Sequence, residues 1–423
     1  MRTSILTLAL VGLNVSFVPQ VLAENSFVAF TNAKIFPVAS APIVGGTLLL
    51  KNGKINALGK NVSIPKDAKL VDCTGKWITP GFIDSATQLG LREISQVAGT
   101  VDSSPSRKDP IRASVRAADG INPRSAAIGV ARRHGVTSAL SVLSGGLISG
   151  QGVWLNLFDG RNGSWMDSVS ADTGLWMSFG ESGARAVGGS RAAAIQRLRE
   201  TFEDARLYNQ NKKNFERNSL RSLVTSRLDL EAIWKVISGK QPLVAAAHRA
   251  SDILAMLNFA KEQRVKLVIL GGAEAWLVKS KLAKAKVPVI LNPIENLPSS
   301  FESRNIRGDN AALLSEAGVR VLISSQSTHN VSSLRFLVGN AIRAGLKWSE
   351  GLRSITLNPA EIFSSSGAYG RLERGKKATF VVWTGDPFEP SNWAETVVIG
   401  GNIQETQNRQ TKLRDKYKKR LGL

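Results

Sequence analysis

The sequence is poor in histidine, cysteine and acidic residues. Three histidines and one cysteine occur in 423 residues. Because Cys73 is alone, an intrachain disulfide is excluded. A catalytic cysteine would need a histidine within reach, so this thiol beside an apolar strand is interpreted as a small packed hydrophobic residue. Stability must therefore come from the core.

The shortage of acidic residues leaves the chain strongly basic. Its 33 Asp and Glu residues face 55 Lys and Arg residues, which gives a formal net charge of +22. A field of this sign attracts anionic surfaces and ligands. The basic residues are densest in residues 197–223 and in the tail "RQTKLRDKYKKRLGL", and both segments are typical of exposed helical faces. We expect no nucleic-acid partner, while contact with anionic cell-envelope polymers or acidic substrates stays open.

Long apolar stretches are missing after the first 23 residues. Residues 1–23 combine one positive charge, an apolar stretch and a small-residue ending at Ala23, which are the features of a secretory signal peptide. Asn14, Ser16 and Pro19 interrupt that stretch and disfavour a transmembrane anchor. No cysteine follows at the lipoprotein position. The mature chain, with a net charge of +21 (22 − 1, for Arg2), is predicted to be periplasmic or secreted.

Two common catalytic motifs are also missing. No Gly-x-Ser-x-Gly segment is present for a serine hydrolase, and the glycine-rich "SGGLISGQG" (144–152) lacks the Lys-Ser/Thr pair of a phosphate-binding loop. These glycines are interpreted as part of a loop that approaches the barrel mouth closely, with backbone amides that could hold an anion if a ligand binds.

The two chain ends and the middle follow different patterns. Residues 26–78 and 370–405 alternate short strands with turns, and Asn52-Gly53 predicts a hairpin. From about residue 240, the strands "PLVAAAH", "KLVILGG", "VPVILNP" and "VRVLISSQ" alternate with helical segments. The first of these helices, "ASDILAMLNFAKEQ", is predicted to be capped by Ser251.

This alternation predicts an α/β fold with a parallel sheet. The architecture that fits best is a (β/α)8 TIM-like barrel with a small β-sandwich domain built from both chain ends; an open doubly wound sheet is the alternative. Residues 184–240 are predicted to be mostly helical. The predicted segments are a signal peptide at 1–23, the N-terminal part of the β domain at 24–78, the barrel at 79–360, the C-terminal part of the β domain at 361–405 and a basic tail at 406–423.

Six segments, taken in order, give the chain a family resemblance. They are "WITPGFID" (77–84), "GVT" (135–137), "AHRASDI" (247–253), "VPVILNP" (287–293), "TLNPAEIF" (356–363) and "GRLERGKKATFVVWTGDP" (370–387). With them the chain resembles the amidohydrolase superfamily, and within it the imidazolonepropionase-like metal-dependent hydrolases. The resemblance implies a barrel beside a β domain. It also implies one or two divalent ions, typically zinc, that activate water at the C-terminal mouth of the barrel.

The chain departs from that family at nearly every metal ligand. The resemblance implies His-x-His after strand 1, one histidine each after strands 5 and 6, an aspartate after strand 8 and a modified lysine on strand 4. The corresponding positions hold Ala86 and Gln88, His248, Gly271 or Gly272, and Gln326, and the lysine has no counterpart that can be assigned. We therefore predict no metal and no other cofactor.

Polar residues just after the predicted strands are the remaining candidates. The candidate catalytic residues are Asp84, His248, Glu274 and His329, and the candidate substrate-binding residues are Gln88, Arg249 and Gln326. Strand ends of a parallel barrel meet at one face, where a His–carboxylate pair could act as a general base. The structural alternative is that Asp84 caps the strand end, Glu274 lies in the first turn of a helix and Arg249 pairs with Asp252.

Two functions follow from these observations. In the first, the chain is an exported, non-catalytic or strongly impaired homologue that binds a small amide or peptide-like ligand, forms a homo-oligomer or pairs with an active homologue. In the second, it hydrolyses C–N bonds of cyclic amides, N-acyl amino acids or dipeptides through a rebuilt site around His248. His134, at the end of a predicted helix, is interpreted as structural, with a partial positive charge that suits the helix dipole.

Overall fold

A computed structural model describes residues 27–104, 109–159, 169–295, 297–364, 367–405, 407 and 409–422. The predicted signal peptide lies outside these residues. The strands are β1 (Phe27–Ile35), β2 (Ile43–Lys51), β3 (Lys54–Gly59), β4 (Lys69–Asp72), β5 (Trp77–Pro80), β6 (Phe82–Thr87), β7 (Val136–Ser141), β8 (Ile148–Asn156), β9 (Val169–Ser178), β10 (Leu243–Ala247), β11 (Leu267–Gly271), β12 (Val289–Leu291), β13 (Val321–Ile323), β14 (Phe380–Trp383), β15 (Ala394–Ile399) and β16 (Asn402–Ile403).

Helices lie mainly between the strands of the second half of the chain. They are α1 (Ala126–Arg133), α2 (Glu181–Ala186), α3 (Arg191–Gln210), α4 (Lys212–Glu216), α5 (Arg227–Ile237), α6 (Ala250–Gln263), α7 (Lys279–Ala285), α8 (Asn310–Glu316), α9 (Leu334–Arg343), α10 (Trp348–Ser354), α11 (Leu357–Phe363) and α12 (Arg409–Leu421). In the part of the chain that the structure describes, no helix is both long and apolar enough to cross a membrane.

The first sheet, which we call the terminal sheet, is built from both ends of the described chain. Its strand order is β16-β15-β14-β5-β1-β2-β3, and β4 pairs with β1. β14 from the C-terminal part pairs antiparallel with β5 from the N-terminal part. Asn52 and Gly53 both have positive φ, which confirms the predicted hairpin between β2 and β3. Cys73 is fully buried in the core of this sheet, and burial raises the pKa of its thiol to about 11.

The second sheet, which we call the barrel sheet, runs in chain order from β6 to β13. Its two edges approach each other, so the sheet is a nearly closed eight-stranded barrel, and the predicted barrel with a β domain from both ends is confirmed. Side chains of its inward-facing residues fill the barrel, among them Ile83, Trp176, Val244 and Val268. Trp176, Val244 and Val268 occupy matching positions on the neighbouring strands β9, β10 and β11, so their side chains point to the same face of the sheet.

One barrel strand runs against the others, in contrast to a regular (β/α)8 barrel. β8 pairs antiparallel with both β7 and β9, while the remaining neighbours pair parallel. The segment between β7 and β8 covers only residues 142–147, and a parallel return would need a crossover of roughly a dozen residues or more. The interpretation of 144–152 as a loop is therefore wrong in part, because residues 148–152 belong to β8.

Close packing joins the two sheets where β5 continues into β6. A Cβ atom on Gly81 would lie 2.1 Å from the Thr137 hydroxyl oxygen, so no larger residue fits between these strands. The Trp383 ring of β14 stacks on Phe82 at 4.9 Å, and its Nε1 donates to the Thr79 hydroxyl at 2.9 Å. Packing at this junction therefore accounts for the residues of the segments "PGF", "GVT" and "FVVW", which need no role in chemistry at the barrel mouth to explain them.

Candidate active site at the barrel mouth

Asp84 lies in β6 and connects the two edges of the barrel sheet. Its side chain is fully buried. Ser324 Oγ lies 2.5 Å from Asp84 Oδ1, the Ser325 N–H donates to both carboxylate oxygens at 3.2 Å, and the Ser325 hydroxyl donates to Oδ2. Ser324 Oγ also accepts from the Ala86 N–H at 3.1 Å. Because the sheet does not pair β6 with β13 by a backbone ladder within the described residues, these side-chain bonds fasten the closure.

The environment of Asp84 opposes its charge. Burial raises the pKa of this carboxyl from 3.8 to about 6, although the hydrogen bonds from Ser324 and Ser325 act in the opposite direction. A carboxyl that is enclosed in this way and already bound to two serines is placed to hold strands together. It has no exposed surface from which to reach a ligand.

His248 follows β10 and is the candidate base nearest the barrel mouth. Its imidazole lies against Gly271, the last residue of β11, so that a Cβ atom at position 271 would be 2.5 Å from His248 Cε1. Gly271 has φ +90°, a conformation that side-chain-bearing residues rarely adopt. The one imidazole that matches the family pattern therefore occupies the space that a second imidazole would need.

The cavity beside His248 is small. It measures about 20 Å³, which is room for a single water molecule. Pockets for small-molecule ligands are usually roughly 300–1,000 Å³. Polar side chains from the segments after β12 and before α8 also border this cavity, namely Asn292, Glu295, Arg307 and Asn310. Glu295 accepts from Asn292 Nδ2 at 3.2 Å.

Glu274 binds the beginning of α6. Its Oε2 accepts from the Ala250 N–H at 2.8 Å, and its Oε1 accepts from Asn305 Nδ2 at 2.7 Å. A carboxylate at this end of a helix is favourable because it satisfies a free N–H and meets the positive end of the helix dipole. The prediction that Ser251 caps this helix is wrong: α6 begins at Ala250, and Glu274 satisfies its first N–H.

Asp252 pairs with Arg191 and not, as the sequence had predicted, with Arg249. Arg191 Nε lies 3.0 Å from both carboxylate oxygens of Asp252, and its NH2 group lies 3.1 Å from Glu302. Glu302 also accepts from the Glu181 N–H at 2.9 Å. This cluster joins the segments that follow β9, β10 and β12 and was missed from sequence, because Arg191 begins a helix with no recognisable motif and lies 61 positions from Asp252.

The other candidates are spread over the same end of the barrel. Gln88 Nε2 donates to Ser144 Oγ at 3.2 Å, and Gln326, with φ +50°, donates its backbone N–H to Ser324. His329 is exposed before the short turn Asn330–Ser333. Within the described residues, no side-chain hydrogen bond joins His248 to Asp84, Glu274 or His329, although the Glu274 N–H donates to the His248 carbonyl oxygen at 2.9 Å. The structure thus brings Asp84 and Gln326 to the same serine, while His248 lies apart from them.

His134 lies at the end of a helix, as expected of a structural histidine, but burial disfavours its charged form. It ends α1, and its Nδ1 lies 3.0 Å from the Val130 carbonyl oxygen. Burial lowers the pKa of this imidazole below its ordinary value, and nearby Arg335 and Arg133 act in the same direction. This shift favours the neutral ring, so the partial positive charge that would suit the helix dipole is disfavoured here.

The residues at the mouth do not fit the divalent ion that the family resemblance implies. Ala86 offers a methyl group, Gln88 and Gln326 offer neutral amides, and Gly271 lies under the His248 ring. Across the described ranges, no three side chains of His, Cys, Asp or Glu come together in a group that could hold a metal ion. Zinc-like ions prefer imidazole, thiolate and carboxylate ligands, so this set of side chains is a poor match.

Comparisons with known proteins give the family. The Amidohydrolase family matches residues 211–404. A crystal structure of an amidohydrolase from Thermotoga maritima superposes with a TM-score of 0.80 at 31% identity, covering 89% of this chain and 99% of that one. An imidazolonepropionase from Acidiphilium cryptum is 23% identical over 391 residues, which are 82% of this chain and 89% of that protein.

A longer relative is the amidohydrolase tasK of Hapsidospora irregularis. It is 23% identical over 391 residues, and the match covers 85% of this chain but only 40% of that protein's length. The match with the Thermotoga maritima amidohydrolase covers most of both chains. On this similarity and on the fold described above, the chain belongs to the amidohydrolase family.

Proposed function

We propose that this chain is a non-catalytic or strongly impaired member of the amidohydrolase family. It keeps the scaffold, and its barrel mouth serves to pair with a second copy or an active homologue. Binding of a small amide or peptide-like ligand is less favoured there, because the cavity beside His248 has room for about one water molecule. Residues 1–23 support export, so the proposed location is the periplasm or the outside of the cell.

The packing of His248 on Gly271 carries this proposal. An ion held by two imidazoles from strands β10 and β11 would need a side chain at position 271 or 272. A Cβ atom at 271 would meet the His248 ring at 2.5 Å, and one at 272 would lie 3.0 Å from Val289 Cγ1. The loss of ligands is thus accompanied by repacking of the space between them. A site that had lost a single ligand could be compensated by a neighbour, but here the His248 ring lies in the volume that a side chain at position 271 would occupy.

Metal content and turnover measured on one preparation test the proposal. The purified chain is analysed for zinc, manganese and iron, and it is assayed with cyclic amides, N-acyl amino acids and dipeptides. The matched variants are His248→Ala and His329→Ala, since His329 is exposed beside the same face. We expect less than about one tenth of an ion per chain and no turnover. A stoichiometric ion, or turnover that disappears in His248→Ala and survives in His329→Ala, would overturn the proposal.

A rebuilt, metal-independent hydrolase is the second candidate, and one observation favours it. His248 borders the same cavity as Glu295 and Arg307, so a base, a carboxylate and a cation surround room for about one water molecule. This candidate predicts metal-free turnover that Glu295→Gln reduces at least about a hundredfold, which is the low end for general base catalysis. Turnover unchanged in Glu295→Gln would remove its support.

A further inference from the structure

A second concave surface lies at the end of the barrel opposite His248. This groove, of about 1020 Å³, is bounded by α6, α7 and the segments that lead into β10, β11 and β12. Its volume is at the upper end of the range for small-molecule sites. Because His248 follows β10 while the groove precedes it, the two sites are separated by the length of the strands. The groove therefore belongs to no part of the candidate active site.

Lysines surround this groove almost without acidic counterparts. Six lysines line it, namely Lys240, Lys261, Lys266, Lys281, Lys284 and Lys286, and all six are exposed. The one acidic lining residue, Glu361, already lies 3.5 Å from Arg320. A neighbouring pocket beside α8 and α10 mixes two glutamates with three cations, so the general basic charge of the chain does not impose this composition everywhere.

Helix dipoles account for only part of the lysine cluster. Lys261 and Lys284 lie in the last turns of α6 and α7, where a cation is favourable. Lys240 and Lys266 lie instead in the segments before β10 and β11. These two strands are paired neighbours, so their preceding segments lie side by side at one rim of the groove.

Apolar side chains form the walls between the lysines. Leu254 and Leu257 of α6 are half-buried, as are Val265 and Ile362, and Val287 is buried at the base. A concave apolar surface with a cationic rim matches a ligand that has an apolar chain and an anionic end. A flat membrane surface would not fill such a concavity. From this complementarity we propose that the groove binds a long-chain carboxylate, with the chain against α6 and the carboxylate among the lysines.

Calorimetric titration of the full chain with decanoate tests the proposal. Hexanoate and inorganic phosphate serve as the short-chain and anion-only probes. We expect saturable 1:1 binding of decanoate, at least about tenfold tighter than hexanoate because four more methylenes leave water. Binding of phosphate as tight as that of decanoate, or no saturable binding of decanoate, would overturn the proposal.

Charge-reversal variants locate the site. Lys261→Glu/Lys284→Glu should weaken decanoate binding about tenfold or more, since it reverses two charges at the rim. A second pair, Lys240→Glu/Lys281→Glu, should do the same if the first pair folds poorly. The control Lys60→Glu/Lys66→Glu makes the same charge change at exposed positions of the N-terminal part and should change binding less than about twofold. Equal losses in groove and control pairs would refute a site at the groove.

Discussion

Replacement of Asp84 by asparagine should change stability in a way that depends on pH. Burial raises the pKa of Asp84 from 3.8 to about 6 in the folded chain. Because the folded state holds the proton more tightly, this carboxyl contributes most to stability below about pH 3.8, and the contribution is lost as the pH rises through 6. A difference of about two pKa units corresponds to roughly 3 kcal/mol of unfolding free energy.

The asparagine variant removes this titration at the cost of one hydrogen bond. Its amide oxygen can still accept from Ser324 and from the Ser325 N–H, but its NH2 group replaces Oδ2, which accepts from the Ser325 hydroxyl. One buried unmatched donor costs about 1–3 kcal/mol, so the variant should be less stable than the parent at pH 4 by about that amount. By pH 7.5 the difference should have moved by about 2.5 kcal/mol in favour of the variant, since part of the roughly 3 kcal/mol is already lost at pH 4.

Urea unfolding followed by tryptophan fluorescence between pH 4 and pH 8 measures this difference. The control is Asp67→Asn, which makes the same change of charge at an exposed position. If the difference between Asp84→Asn and the parent is constant across this range, the pKa of Asp84, the carboxyl that joins β6 to β13, is not raised.

Three further substitutions test the packing of the mouth, each by its effect on unfolding free energy. Gly271→Ala should destabilise the chain by at least about 1 kcal/mol more than Gly188→Ala, because both glycines have φ near +90° but only a Cβ at 271 meets the His248 ring. Equal effects of the two substitutions would contradict the packing on His248. Arg191→Ala should cost about 3–5 kcal/mol, because it leaves two mostly buried carboxylates without their cation. The control Arg199→Ala, in an exposed pair, should cost at most about 1 kcal/mol, and similar losses in both variants would refute the cluster. Glu274→Ala should cost about 1 kcal/mol through loss of the α6 cap, with Glu274→Gln retaining part of it; no loss in either variant would leave the glutamate free for another role.

Much of the fold could be predicted from short-range patterns. The strands "PLVAAAH", "KLVILGG", "VPVILNP" and "VRVLISSQ" correspond to β10–β13, and the helix between the first two begins and ends as predicted. These elements follow from apolar periodicity, which depends on neighbours along the chain. The antiparallel β8 could not be predicted in this way, because its direction depends on the short segment before it and on its pairing with β9.

The candidate site was predictable in residue types and not in contacts. The sequence by itself determined which ligand types are missing, since neither the methyl group of Ala86 nor Gly271 offers a side-chain donor atom to an ion. Only the tertiary structure decided what the remaining groups do. Asp84 is enclosed by Ser324 and Ser325, 240 and 241 positions away, and Asp252 is bound by Arg191. Closure of a barrel brings such distant segments together, and burial then sets their charge.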